Sequence, residues 1–174
     1  MPSPTPHPLV TQLRFTRAEF KRALKGVTDE EGSRRFLPLN CISWNVGHLA
    51  WQEQHYFIAG GAGQPMPLPE IHRLFAFGAP ASTPALSEML AAWKTITTAA
   101  DPWLDTVTNA ILLQQFTRHD GQPGTRTNGS RLQRVIYHYW YHTGENMAIR
   151  QNLGHTRLPQ FVGSIDDKAP YQPG

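Results

Sequence analysis

Apolar residues along this chain recur mainly at helical spacing, and four segments carry the pattern. In the first, Leu13, Phe20, Leu24 and Val27 share one face of a helix over about residues 9–26, starting at Leu9 or Thr16. Thr16-x-x-Glu19 reads as its capping box and Gly26 as its stop. Thr28-Asp29-Glu30-Glu31 repeats the capping pattern and predicts a short turn of helix on the way to Pro38. A second helix over about 40–60 carries Trp44, His48 and Trp51 and ends at Gly60, Gly61 and Gly63. A third, over 84–104, opens at Thr83-Pro84 and lines up Leu86, Leu90, Trp93, Thr97, Ala100 and Leu104, with Pro102 expected to kink or end it. Ser130-x-x-Gln133 caps a fourth, over 130–153, which Gly154 closes. Trp44, Trp51, Trp93, Tyr139 and Trp140 are the expected bulk of the core.

The stretches between are irregular. Residues 61–82 scatter four prolines among Leu68, Ile71, Leu74, Phe75 and Phe77, which predicts a long ordered loop packed by its own side chains over one end of the fold. Residues 109–129 end in the turn-rich GQPGTRTNG and read as a loop that accommodates a hairpin. Strand alternation is otherwise weak. The fold class expected is all-α, a four-helix bundle whose long connections imply crossovers. One domain over 1–174 is the natural division, with its core at about 9–154 and a Pro-rich tail at 155–174.

Composition narrows the setting. With 40% hydrophobic and 17% charged residues the chain is globular, and no apolar run approaches a membrane span. The opening MPSPTPHP lacks the apolar centre of a signal peptide, and Cys41 is a lone cysteine, so a cytoplasmic setting is expected. The net charge of +3 would suit an anionic partner, but the basic residues are scattered. Their one concentration, Arg14, Arg17, Lys21 and Lys25, is expected to be a solvated face of the first helix. A small-molecule substrate is therefore the expected partner, with a homodimer allowed and neither nucleic acid nor a membrane expected.

The chemistry gathers in the fourth helix. His138 and His142, four residues apart, share a face within reach of one cation, and Glu145 lies three residues on. Gly144 in mid-helix implies close backbone approach or room for a ligand. The plainer alternative is a pair of half-buried histidines with ordinary hydrogen bonds. A metal needs a third ligand, for which His48, between Trp44 and Trp51 and beside Gly47, is the best candidate. His55, seven residues on, competes for that role, and Glu53 projects elsewhere. His48 as a core histidine bonded to a backbone carbonyl is the competing reading.

The run Trp44-Asn45-Val46-Gly47-His48-Leu49-Ala50, followed by His138-x-x-x-His142-Thr143-Gly144-Glu145 and Arg150-x-x-Leu153-Gly154, resembles the DinB/YfiT-like metalloenzyme superfamily. The likeness covers about residues 9–154. It implies a four-helix bundle with one divalent ion, zinc or nickel, bound by His48, His138 and His142, leaving a coordination position open. Glu145 departs from the glutamine common at its position in the family and is carried as a base or a partner of the ligands. Relatives that use low-molecular-weight thiols imply a thiol S-transferase in which the metal activates the thiol. A metal-dependent hydrolase and a non-catalytic metal-containing stress-response or binding protein are the alternatives.

Overall fold

A computed structural model describes residues 5–118, 121–161, 165–168 and 170–173. Parts of the expected tail, and the first four residues of the chain, lie outside them. The described residues are mostly helical, and no helix among them is long and apolar enough to cross a membrane.

Helix α1 spans Pro8–Ala23, and its cap is His7, whose Nδ1 accepts from the Leu9 amide at 3.1 Å. The expected box at Thr16 is absent; that hydroxyl instead donates to the Gln12 carbonyl inside the helix. The box at Thr28 and Glu31 does form and opens the short α2, Asp29–Ser33. Helix α3, Ile42–Glu53, continues in π-helical geometry over Gln54–Gly61. The helix ends at Gly61, with Gly63 just beyond it at φ +64°, while Gly60 and Gly61 serve packing: a Cβ on Gly60 would stand 1.9 Å from the Phe116 ring and one on Gly61 2.7 Å from that of Trp103.

The expected loop at 61–82 contains helix α4, Pro69–Phe75. Helix α5, Leu86–Leu104, begins two residues later than Pro84 and runs two residues past Pro102. Then come α6, Asn109–Leu113, and an antiparallel hairpin of β1, Gln115–Thr117, with β2, Pro123–Thr127. Helix α7, Asn128–Asn152, is capped by Thr127, which accepts from the Ser130 amide, and Gly154 follows it at φ +88°. The cap thus sits three residues before the serine that sequence suggests.

Helix α1 packs on α7, and α3 packs on α5, α4 and α7. Trp44, Trp93 and Tyr139 are buried as expected, whereas Trp51 and Trp140 are only partly buried at the edge of the core. Through the core runs a polar chain. Arg17 donates through Nε to Glu53 Oε1 at 2.8 Å, through a second nitrogen to Glu53 Oε2, and through Nη1 to Asp101 at 2.7 Å. Tyr139 donates to Glu53 at 2.6 Å, and Trp93 donates to Tyr139 at 2.6 Å. Glu53 is wholly buried, and Arg17 keeps 6% of its surface exposed.

This corrects the reading of the basic stripe. Arg17 is a core residue, and Arg14 is paired with Asp105 at 2.8 Å, while Lys21 and Lys25 are exposed. The anion that buries Arg17 sits on another helix, out of reach of any pattern within α1. Burial opposes the guanidinium charge, but Glu53 outweighs it, and the net effect holds Arg17 protonated.

Candidate metal centre

Helices α3 and α7 run antiparallel along a shared seam, which the side-chain pairs mark. Asn45 donates to Glu145 and Asn146, both at 2.9 Å; farther along, Gln52 meets His138, Glu53 meets Tyr139, and Tyr56 meets Arg131. This register places His48 on α3 opposite His138 and His142 on α7. Their rings meet edge to face, with centroids 5.0 and 5.5 Å apart.

One ligating nitrogen from each of the three histidines lies within 4.8 Å of the other two, and the Nε2 atoms of His138 and His142 are 3.0 Å apart. The opposite ring nitrogen of every histidine is occupied. His48 Nδ1 donates to the Phe75 carbonyl at 2.6 Å, His138 Nδ1 lies 2.9 Å from Gln52 Oε1, and His142 Nδ1 lies 2.7 Å from Glu145 Oε2. Each of these partner atoms is an oxygen acceptor, so the proton belongs on Nδ1 and the lone pair on Nε2, in the tautomer of a metal-binding histidine. Three nitrogens at 2.0–2.1 Å from a tetrahedral ion stand about 3.3 Å apart, near the 3.0 Å between His138 and His142 and inside the 4.8 Å that bounds all three. The donor set fits a divalent cation.

Local sequence explains why His48 points inward. Its ring is stacked between Trp44 and Trp51, with centroids at 4.8 and 5.0 Å and interplanar angles of 17° and 25°. Residues 44, 48 and 51 recur at four and three, so the three rings sit above one another on one face. Gly47 admits Phe75, since a Cβ there would meet the ring at 2.8 Å. That approach brings the Phe75 carbonyl to His48, so the segment after α3 orients a candidate ligand.

The electrostatics suit the same role. Burial, reinforced by repulsion among the rings, depresses His138 to about 3. His48, depressed to about 4, is governed by burial, against which the Phe75 contact works. Both imidazoles stay neutral, with lone pairs available, well into the acid range.

His48, His138 and His142 come together as the sequence suggests, and Glu145 stands behind His142. His55 is elsewhere: its ring faces Trp51, His72 and Phe116 at the far end of the tryptophan stack. Apart from the backbone of its own helix and its chain neighbours, Gly144 has no atom within 4 Å of where its Cβ would be, which removes close helix approach as its reason and leaves open space. The Phe75 carbonyl, Gln52 and Asn45 escaped sequence reading. Gln52 left a trace as a polar residue four positions after His48 in an apolar helix, whereas the carbonyl left none.

The sequence model of the DinB superfamily matches residues 12–146, which takes in all three histidines and Glu145. No curated protein matches the chain.

Proposed function

The chain belongs to the DinB superfamily, and on that premise we propose that it is a divalent-metal-dependent enzyme whose metal is held by His48, His138 and His142. The observation that carries the reading is the donor set: three imidazoles that each bring a ring nitrogen within 4.8 Å of the other two, each with its Nδ1 engaged by an oxygen acceptor. An imidazole pair 3.0 Å apart with no proton to share is unfavourable, and a cation is the natural occupant. Zinc and nickel both suit nitrogen ligands. A cation with three protein ligands supplies Lewis acidity, enough to bring the pKa of water or a thiol toward neutrality.

The chain's own residues supply orientation and proton control. Glu145 holds the proton on His142 Nδ1, and Asn45 fixes the same carboxylate oxygen from α3. Its side chain lies behind the ligands, so its first duty is to orient His142. Gln52 and the Phe75 carbonyl do the same for the other two rings.

The reaction we propose is transfer of a low-molecular-weight thiol to an electrophilic small molecule, within a single four-helix-bundle domain. The cysteine of the chain supports an external thiol: Cys41 is buried and bonded within its own neighbourhood, so it is not the nucleophile. The test begins with metal analysis of protein purified without chelator or nickel resin. The loaded protein is then incubated with monobromobimane or chlorodinitrobenzene and a panel of thiols. Near-equimolar metal and metal-dependent thiol consumption are expected. Loss of thiol at the uncatalysed rate, with ester hydrolysis in its place, would transfer the reading to a hydrolase; metal below a tenth of an equivalent would sink both.

A further inference from the structure

A cavity of about 360 Å³ lies beneath the hairpin, lined by His55, Phe116, Arg118, Thr125 and Arg131. Arg131 is clamped there, its guanidinium 4.3 Å from the centroids of both the Tyr56 and Phe116 rings. Its Nε is buried without a hydrogen-bond partner, and among the described residues no carboxylate pairs with it. This contrasts with Arg14, Arg17 and Arg22, each of which meets an acidic side chain. A cation held rigid by two rings beside a cavity, with its own charge unanswered, is preorganised for an anion.

The cavity also has a fixed relation to the three histidines. His55, in the π-helical continuation of α3, follows His48 by seven residues, and Arg131 precedes His138 by seven on the antiparallel α7. Both steps displace the cavity in the same direction along the seam, by roughly 10 Å at helical rise. The half-buried Trp51 spans the interval, stacked on His48 at one side and on His55 at the other, with centroids at 5.0 and 6.0 Å. A flat apolar wall thus joins a nitrogen-lined centre to a cationic one.

We infer that the Arg131 cavity receives the carboxylate of an elongated small-molecule substrate whose reacting end reaches His48, His138 and His142. The inference rests on the metal-centre reading for its second half and on Arg131 alone for its first. A planar carboxylate complements the guanidinium fork of Arg131. The length of the substrate is set by the two centres, an oxyanion about 10 Å from the reacting group with an apolar stretch between.

Two titrations test the two halves separately. Octanoate is titrated into chelator-stripped protein, native and with Arg131→Met or Arg131→Lys. Arg131→Met keeps an apolar stem between the rings, and Arg131→Lys keeps the charge without the fork. A loss of about tenfold to a hundredfold in octanoate affinity is expected for Arg131→Met, with a smaller loss for Arg131→Lys. Equal octanoate affinity in native protein and Arg131→Met, with both folded by circular dichroism, overturns the anion site.

In the metal-loaded protein, suberic acid monohydroxamate is compared with octanohydroxamate, the same chain ending in methyl. The carboxylate-terminated probe should bind at least about tenfold tighter, and Arg131→Met should erase that advantage while leaving octanohydroxamate unaffected. An advantage that survives Arg131→Met, or none in native protein, overturns the link between the centres. Failure of octanohydroxamate to bind the loaded protein overturns the metal reading by itself and leaves the octanoate result standing.

Discussion

Gln52 presents its amide oxygen to His138 Nδ1 at 2.9 Å, and the residues that follow each of them, Glu53 and Tyr139, hydrogen-bond to one another at 2.6 Å in the core. Two adjacent residues on each of two helices therefore serve opposite sides of the seam. One pair orients a candidate ligand and the other anchors that ligand's helix to a buried ion pair. The rigidity of the site is borrowed from the core directly behind it.

Metal content should follow the ring nitrogens. His48→Ala, His138→Ala and His142→Ala should each lose most bound metal when purified identically, while His55→Ala retains it. Glu145→Gln and Gln52→Ala should retain metal with about 10–100-fold weaker affinity or activity, since they remove an orienting partner and leave the ligand in place. Atomic absorption on the purified variants reads the outcome, and metal loss in His55→Ala with retention in His48→Ala would reverse the assignment.

The ion pair behind the site predicts a large stability effect. Arg17→Met leaves Glu53 buried and unpaired, for which a loss of about 3–5 kcal/mol is expected in urea unfolding. Arg17→Met with Glu53→Gln together should recover part of it, because the stranded charge is gone. Lys21→Glu, on the exposed part of the same helix, should change stability by less than about 0.5 kcal/mol. Trp93→Ala should cost about 3–5 kcal/mol, by opening a cavity and releasing the Tyr139 hydroxyl from its donor.

The metal-free protein should weaken in acid ahead of carboxylate protonation. His48 and His138 titrate near 4 and 3 in the fold and near 6.5 in the unfolded chain. Above about pH 6.5 both states hold these rings neutral and no difference arises. Below it the unfolded chain gains protons that the fold refuses, so stability falls as pH drops, by up to about 1.4 kcal/mol per pH unit for each ring. The fall should end near the folded values. Chemical denaturation at pH 7.5, 6.0 and 5.0 measures the slope, and His48→Phe should reduce it.

Gly144 offers a contrast between stability and activity. With open space around it, Gly144→Ala should stabilise the free protein by up to about 1 kcal/mol through helix propensity. If that variant melts higher but turns over substrate poorly, the space belongs to the substrate; if turnover is unchanged, the glycine has no part in the reaction.

The elements legible in the sequence are those whose signals are local. Helical spacing located four long helices, and the capping box at Thr28 and Glu31 formed as read. His48, His138 and His142 were legible because two lie one turn apart and the third sits alone between tryptophans. What escaped depends on distant partners. Arg17 looks like its exposed neighbours until Glu53 arrives from α3, and the Phe75 carbonyl carries no side-chain signature at all. The cap of α1 was missed because His7 is an uncommon choice, and that of α7 because Thr127 precedes a serine that looks equally suitable.

The π-helical stretch from Gln54 to Gly61 gives one helix two clocks. Up to Glu53 side chains advance by the α period, which keeps Asn45, His48 and Gln52 in step with α7. After it each turn holds an additional residue, and the side chains that face the hairpin keep separate time. A one-residue deletion at Gln54, ahead of His55 and Tyr56, would rotate both side chains by about 100° relative to α3 and away from Arg131, while His48 keeps its place in the α-helical part. Divergence among descendants of this chain can therefore retune the outer cavity by length alone, while the inner centre is inherited intact.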